Sequence, residues 1–197
     1  MNIISINGSR RKNGNTQGLI QSISKPLEQN GIVVETLFLG DYTIAACTGC
    51  EGCRNSFECI IKDDFQLLIH KIDEADGVIF ASPTYWYSVT SDMKRFIDRC
   101  YSLIQFPESR SKWVGKYDRT GKFCIAAAVC EQKEEKNMGN TLTLLTDFAQ
   151  DIGLDVIASI KALNCYETGS IEKEERALSD AESAGFDLLQ RLESSGE

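Results

Sequence analysis

Apolar positions along this chain recur with two periods, one of strands and one of helices. Residues 2–6 form a short β-branched run that closes on Asn7-Gly8 and reads as a buried strand. From Thr16 to about Asn30, Leu19, Ile20, Ile23 and Leu27 fall at helical spacing. Asn15 or Thr16 can cap this helix and Gly31 can end it, while Pro26 inside the pattern predicts a kink or an early stop. Residues 32–39 alternate as a second strand. Residues 47–59 read as a loop, after which Asp63 and Asp64 open a helix carrying Phe65, Leu68, Ile69 and Ile72. Residues 77–81 are a third buried strand, stopped by Ser82-Pro83. Thr90 or Ser91 starts a helix with Met93, Phe96, Ile97 and Cys100 on one face. Residues 102–120 read as long and irregular, with Pro107 among them. A fourth, almost wholly apolar strand at 123–129 is followed by a helix over 139–152 and a fifth strand over 154–163. A last helix runs from Ser170 or Ile171 to Leu192, and the end, residues 194–197, is expected to fray.

Continuous apolar strands between amphipathic helices imply a parallel sheet covered on both faces. The expected fold class is α/β, a doubly wound three-layer sandwich with strand order 2-1-3-4-5. Ligands in that order bind at the carboxyl ends of strands one and three. The sequence shows no internal repeat or linker, so residues 1–197 read as one domain.

Composition narrows the function. The chain has 197 residues and a formal charge of −8, which argues against a nucleic-acid binder. The N-terminal apolar run is too short for a signal peptide, and its basic residues follow the run rather than precede it. No stretch approaches the roughly 18 apolar residues of a membrane span. A cytosolic location is expected, with neither nucleic acid nor membrane as partner. One histidine leaves little room for Ser-His-Asp or Cys-His catalysis. Eight cysteines are many for a reducing compartment, where clustered thiols point to metal binding or redox chemistry. Of the scattered cysteines Cys100, Cys124, Cys130 and Cys165, two lie in apolar runs and act as small buried hydrophobes.

Two loops face the expected crevice. Residues 8–16, GSRRKNGNT, lack the P-loop and dinucleotide signatures. They still offer a phosphate what it needs: hydroxyls from Ser9 and Thr16, an amide from Asn15, charge from Arg11, two glycines and a helix N-terminus. The alternative is a polar turn with a helix cap. After the third strand comes Pro83-Thr84-Tyr85-Trp86-Tyr87. Three adjacent aromatics cannot all point inward, but they make good walls for a flat ring system. The alternative is a loop buried under a neighbouring subunit, and the two are compatible. A phosphate cradle opposite an aromatic loop describes a mononucleotide with a large ring, and FMN fits best. The run Cys47, Cys50, Cys53, Cys59 has the spacing C-x₂-C-x₂-C-x₅-C. Two successive short gaps turn three thiolates toward one point, which suits a [4Fe–4S] cubane closed by the fourth cysteine. Zinc more often pairs two distant C-x₂-C knuckles, and four free thiols are the third possibility. Because the run follows the second strand, it is expected near the same end of the sheet as the cradle.

GSRRKNGNT, the segment SPTYWYSVTSDMKRFIDR and the order of elements resemble the NAD(P)H-dependent FMN reductases of the flavodoxin-like superfamily, over about residues 2–165. The resemblance is nearest to the iron–sulfur flavoprotein branch, where a compact cysteine motif precedes a K-D-D helix start, here Lys62-Asp63-Asp64. It implies that Ser9, Arg11, Asn15 and Thr16 hold the FMN phosphate and that Pro83 to Tyr87 border the isoalloxazine. It also implies a homodimer or homotetramer with the flavin near an interface. The chain departs from the pattern at Arg10, where proline is frequent, and at Tyr87, where glycine is frequent. The expected activity is an oxidoreductase that passes a hydride from NAD(P)H to FMN and electrons onward, to a small-molecule acceptor or a redox partner protein. Its rivals are an electron carrier using FMN plus a [4Fe–4S] cluster, and a non-enzymatic FMN-binding redox sensor. His70 and the acidic last helix read as solvated. The basic residues Arg110, Lys112, Lys116, Arg119 and Lys122 read either as surface charge or as an attractor for a dinucleotide's phosphates or an acidic partner.

Overall fold

A computed structural model describes residues 1–195 of the chain. Five strands build the main sheet: β1 (Asn2–Asn7), β2 (Val33–Phe38), β3 (Gly77–Pro83), β6 (Phe123–Val129) and β7 (Asp155–Ala162). All four pairings are parallel, in the order β2-β1-β3-β6-β7. This is the doubly wound order expected, with a further strand pair inserted between β3 and β6. That pair, β4 (Ile104–Ser109) and β5 (Lys112–Gly115), is an antiparallel hairpin in the stretch that reads as irregular from sequence. Pro107 and a register shift break its alternation, and a two-stranded ribbon made only of edges tolerates both.

Five helices cover the two faces. α1 (Asn15–Gln29) and α5 (Glu175–Ser195) pack on one, through Leu19, Ile23, Leu27, Ala181 and Leu188 against Ile3, Ile79, Ile125 and Ala127. α2 (Phe65–Glu74), α3 (Ser91–Arg99) and α4 (Thr141–Asp151) pack on the other, around Phe65, Phe80, Phe96 and Phe148. Their ring centroids stand 5.1–6.4 Å apart, within the range of favourable aromatic pairs. Successive strand residues supply opposite faces, which is why Ile3 and Ile4 belong to different cores. Cys100 and Cys124 are buried in the phenylalanine layer, and burial pushes both thiols up; they behave as small hydrophobes.

Pro26 does not stop α1, which runs three residues further to Gln29. The contact with α5 holds it: a Cβ at Gly185 would stand 2.1 Å from the Ile23 carbonyl oxygen and 2.6 Å from Pro26 Cγ. The last helix starts at Glu175, because residues 170–173 close into a 3₁₀ turn that buries Ile171. Of the end expected to fray, Ser194 lies within α5 and residues 196 and 197 fall outside the described ones. Among the described residues no helix is long and apolar enough to cross a membrane.

Candidate functional site

The carboxyl ends of β1, β3, β6 and β7 open into a cavity of about 630 Å³. Ser9, Arg11, Asn15 and Thr16 line it on one side, and Pro83, Thr84, Tyr85, Trp86 and Tyr87 on the other. The parallel pairing of β1 with β3 brings these two segments together. α1 is capped at Gly14 and not at Asn15 or Thr16, and no side chain accepts a hydrogen bond there. Its first-turn N–H groups therefore remain available to an anion. Ser9 and Thr16 are buried, and Ser9 Oγ accepts from the Arg11 amide.

The two arginines of the loop divide. Arg10, at the position where proline is frequent, forks onto Asp92 at 2.6 and 3.0 Å. That pair holds the Asp92 carboxyl below its usual range, through the hydrogen bond first and the charge second. Among the described residues the Arg11 guanidinium has no hydrogen-bond or ion-pair partner, and it lines the cavity. Asn15 lines it as well, but its carboxamide is engaged elsewhere. It donates to Cys165 O, Glu167 O and Ser170 Oγ and accepts from the Ile171 amide, so it straps the loop after β7 to α1.

The aromatic loop is a two-residue turn. Tyr85 and Ser88 exchange backbone hydrogen bonds at 2.8 and 3.2 Å across Trp86 and Tyr87. Both central residues are left-handed, with φ of +49° and +63°. This hairpin geometry favours Asn and Gly, so Trp86 and Tyr87 hold it under backbone strain. The turn is held from outside: the Tyr87 carbonyl accepts from the Asn140 amide at 2.9 Å, and Gly139 packs so closely that a Cβ would meet that carbonyl oxygen at 2.2 Å. Trp86 is 93% exposed and Tyr87 57%. Beneath the turn, the Thr84 hydroxyl is buried without a partner. An orphaned hydroxyl, an unpaired guanidinium and an uncapped helix start in one cavity fit a phosphorylated ring ligand such as FMN.

Sequence reasoning missed Val129, Cys130, Glu131, Gln132, Asn137, Cys165 and Tyr166, which complete the lining. They follow β6 and β7, whose ends open at the same side of the sheet. That rule was the available signal.

The four cysteines Cys47, Cys50, Cys53 and Cys59 line a second cavity of about 600 Å³ with no lining residue in common with the first. Its other walls include Ile60, Ile97, Ile104, Leu144 and Phe148, with Arg99, Tyr101 and the acidic Glu51, Asp98, Asp147 and Asp151. The expectation that this run lies at the cradle end of the sheet is corrected. The chain turns back after β2 and seats the cysteines against the last turn of α3 and along α4. The cradle instead adjoins the start of α3, where Thr90 Oγ1 caps the helix and donates to Gly8 O. The nine residues of α3 span roughly 13 Å. Gly49 adopts φ +66°, and Gly52 packs against Ile60, where a Cβ would stand at 2.6 Å; these glycines shape the loop. The Gly52 amide and then the Thr48 hydroxyl pull the Cys50 thiol down, whereas burial pushes Cys53 up. Among the described residues no three His, Cys, Asp or Glu side chains converge closely enough for a single metal ion. Four thiols thus line one cavity, with the buried guanidinium of Arg99 beside them.

Three of the basic residues are paired with carboxylates. Arg110 pairs with Glu51, Lys112 with Glu108 and Lys116 with Asp73, while Lys122 caps the end of α2 through the Ile72, Asp73 and Ala75 carbonyls. None of these residues lines the 630 Å³ cavity. His70 is exposed and pairs loosely with Glu74, as the solvated reading expects.

Residues 1–132 match the model of the NADPH-dependent FMN reductase family. An iron-sulfur flavoprotein of Archaeoglobus fulgidus is 38% identical over 115 residues, 58% of this chain and 52% of that protein. The chain spans about half the length of the curated relatives it matches. Among solved structures, a flavone reductase superposes with a TM-score of 0.73 at 20% identity, covering 100% of this chain and 65% of that one. An archaeal flavodoxin superposes with a TM-score of 0.60 at 15% identity, covering 98% of this chain and 99% of that one. At such identities these two establish the fold, which is flavodoxin-like. With two thirds of its length matched and both crevice loops inside the match, the chain belongs to the NADPH-dependent FMN reductase family.

Proposed function

We propose that the protein is an FMN-dependent oxidoreductase that takes a hydride from NAD(P)H and passes electrons to an acceptor. The observation that carries this reading is the convergence of two distant segments, residues 9–16 and 83–87, on one cavity that also holds an unpaired arginine. When bound, FMN supplies the hydride-accepting and electron-donating ring chemistry. The chain's own residues bind and orient. Ser9 and Thr16 donate hydroxyls, Arg11 supplies charge, and the first-turn amides of α1 face the phosphate. Pro83 to Tyr87 wall the ring, and the Thr84 hydroxyl gains a partner. Asn15 serves as the strap that keeps the wall after β7 in place. The exposed turn at Trp86 and Tyr87 supports a homodimer or homotetramer in which a second copy covers the ring. The four thiols favour a cytosolic, reducing location.

The test is the absorption spectrum of anaerobically purified protein before and after NADPH. Two flavin bands that bleach within a turnover support the reductase. A bound flavin that NADPH leaves oxidised overturns it. A second reading, an electron carrier with a [4Fe–4S] cluster on Cys47, Cys50, Cys53 and Cys59, is favoured by those thiols sharing one cavity. About four iron and four acid-labile sulfide per chain after anaerobic reconstitution support it. Stoichiometric zinc, or no iron with flavin still bound, returns the function to the simple FMN reductase.

A further inference from the structure

Arg99 is among the largest fully buried side chains, 1% exposed at the end of α3, and neither proposed cofactor reading uses it. A buried guanidinium brings five N–H donors that need acceptors. Asp63 takes two of them, from Nη1 at 2.7 Å and Nη2 at 3.3 Å. Three further bonds go to the cysteine loop itself: Nη1 donates to Ala45 O at 3.0 Å, Nη2 to Ile61 O at 3.0 Å, and Nε to Cys59 Sγ at 3.2 Å. The group also lies over the Phe65 ring, 4.7 Å from its centroid.

We propose that Arg99 is the positioning residue of the four-cysteine site, clasping both ends of the loop and holding the sulfur of Cys59 by an N–H···S hydrogen bond. The proposal rests on reading Cys47, Cys50, Cys53 and Cys59 as cluster ligands. Ala45 lies before the first cysteine, and Ile61 and Asp63 lie after the last. One side chain thus fixes the two ends of a segment that has no helix or strand of its own. Without such closure, chain entropy would scatter the thiols. Asp63 leaves three donors of the guanidinium to be satisfied, and all three find acceptors on the cysteine loop, one of them the sulfur of Cys59. A fixed positive charge and an N–H donor at a ligand sulfur favour the more negative, reduced cluster, so they raise its potential.

The experiment compares wild type, Arg99→Gln and Arg99→Lys, each isolated with FMN, whose site lies on other segments. Three quantities are read: iron per chain after anaerobic reconstitution with ferrous iron and sulfide, the midpoint potential of the cluster signal, and the rate of proteolysis within residues 45–63 of metal-free protein. Arg99→Gln is expected to lose at least half the iron, to be cut at least tenfold faster, and to shift the residual cluster to a more negative potential. Arg99→Lys keeps the charge but not the fork, so its potential lies between the two while its loop is cut nearly as fast. If Arg99→Gln fails to fold and release flavin-loaded protein, the lysine variant carries the comparison. Wild-type iron, protection and potential in the lysine variant would overturn the proposal. If wild type takes up no iron, the ligand reading falls, and proteolysis still decides whether Arg99 clasps the loop.

Discussion

Single residues with similar chemistry do different work here because their partners differ. Arg10 and Arg11 are adjacent, yet Asp92 neutralises the first while the second faces the cavity with no protein partner among the described residues. Replacing Arg11 and Thr16 together by Ala should therefore weaken FMN at least tenfold more than riboflavin in parallel titrations. Equal weakening of both ligands would remove the phosphate from this loop. Tyr87 holds a left-handed backbone that costs a non-glycine residue roughly 1–2 kcal/mol. Tyr87→Gly should relieve part of that cost and raise the thermal midpoint of the flavin-free protein. An unchanged or lowered midpoint would mean that the ring's contacts outweigh the strain. That Ser9, Arg11 and Thr16 would line the crevice was legible in the sequence, since they stand between the first strand and the first helix. That the Asn15 side chain would turn to Cys165, Glu167 and Ser170 was not, because those partners lie about 150 residues away in the chain.

At the scale of elements, the anchoring of the cysteine loop combines capping and charge. Asp63 Oδ1 accepts from the Phe65 amide at the start of α2, Asp63 Oδ2 from the Ala45 amide, and both oxygens receive Arg99. Burial alone would raise this carboxyl; the Arg99 pair and the two amides outweigh it and hold it below the usual carboxylate range. A depressed folded-state value gives stabilisation that is complete above the ordinary pKa of about 3.9 and is lost as pH falls through the folded value. The difference in urea stability between wild type and Asp63→Asn should be about 3 kcal/mol and constant from pH 8 to 5, then shrink below pH 4. A difference that varies between pH 5 and 8 would assign the effect to another group. Helices and sheet strands were read with small boundary errors because each carries its own period of burial. The β4–β5 hairpin was not, because it buries too little to impose one.

For the whole molecule, the sheet order brings four strand ends to one cavity and leaves three aromatics on its rim. Trp86, 93% exposed beside that cavity, is the residue most in need of cover. Light scattering of the wild-type protein should give a dimer or tetramer, and Trp86→Ser with Tyr87→Ser should shift it toward the monomer at micromolar concentration. A wild-type monomer, or an unaltered oligomer in the double variant, would place the interface elsewhere.

The alternation of apolar strands with amphipathic helices determined the doubly wound sheet, because burial on both faces leaves a strand no polar side. The same alternation put the cradle and the aromatic loop at the ends of adjacent strands, and so determined that they would meet. Tertiary structure alone decided where the cysteine run would go. Loop residues carry no burial period, so their course depends on what they find to bond, and here the acceptors of residues 45–63 found the buried donors of Arg99.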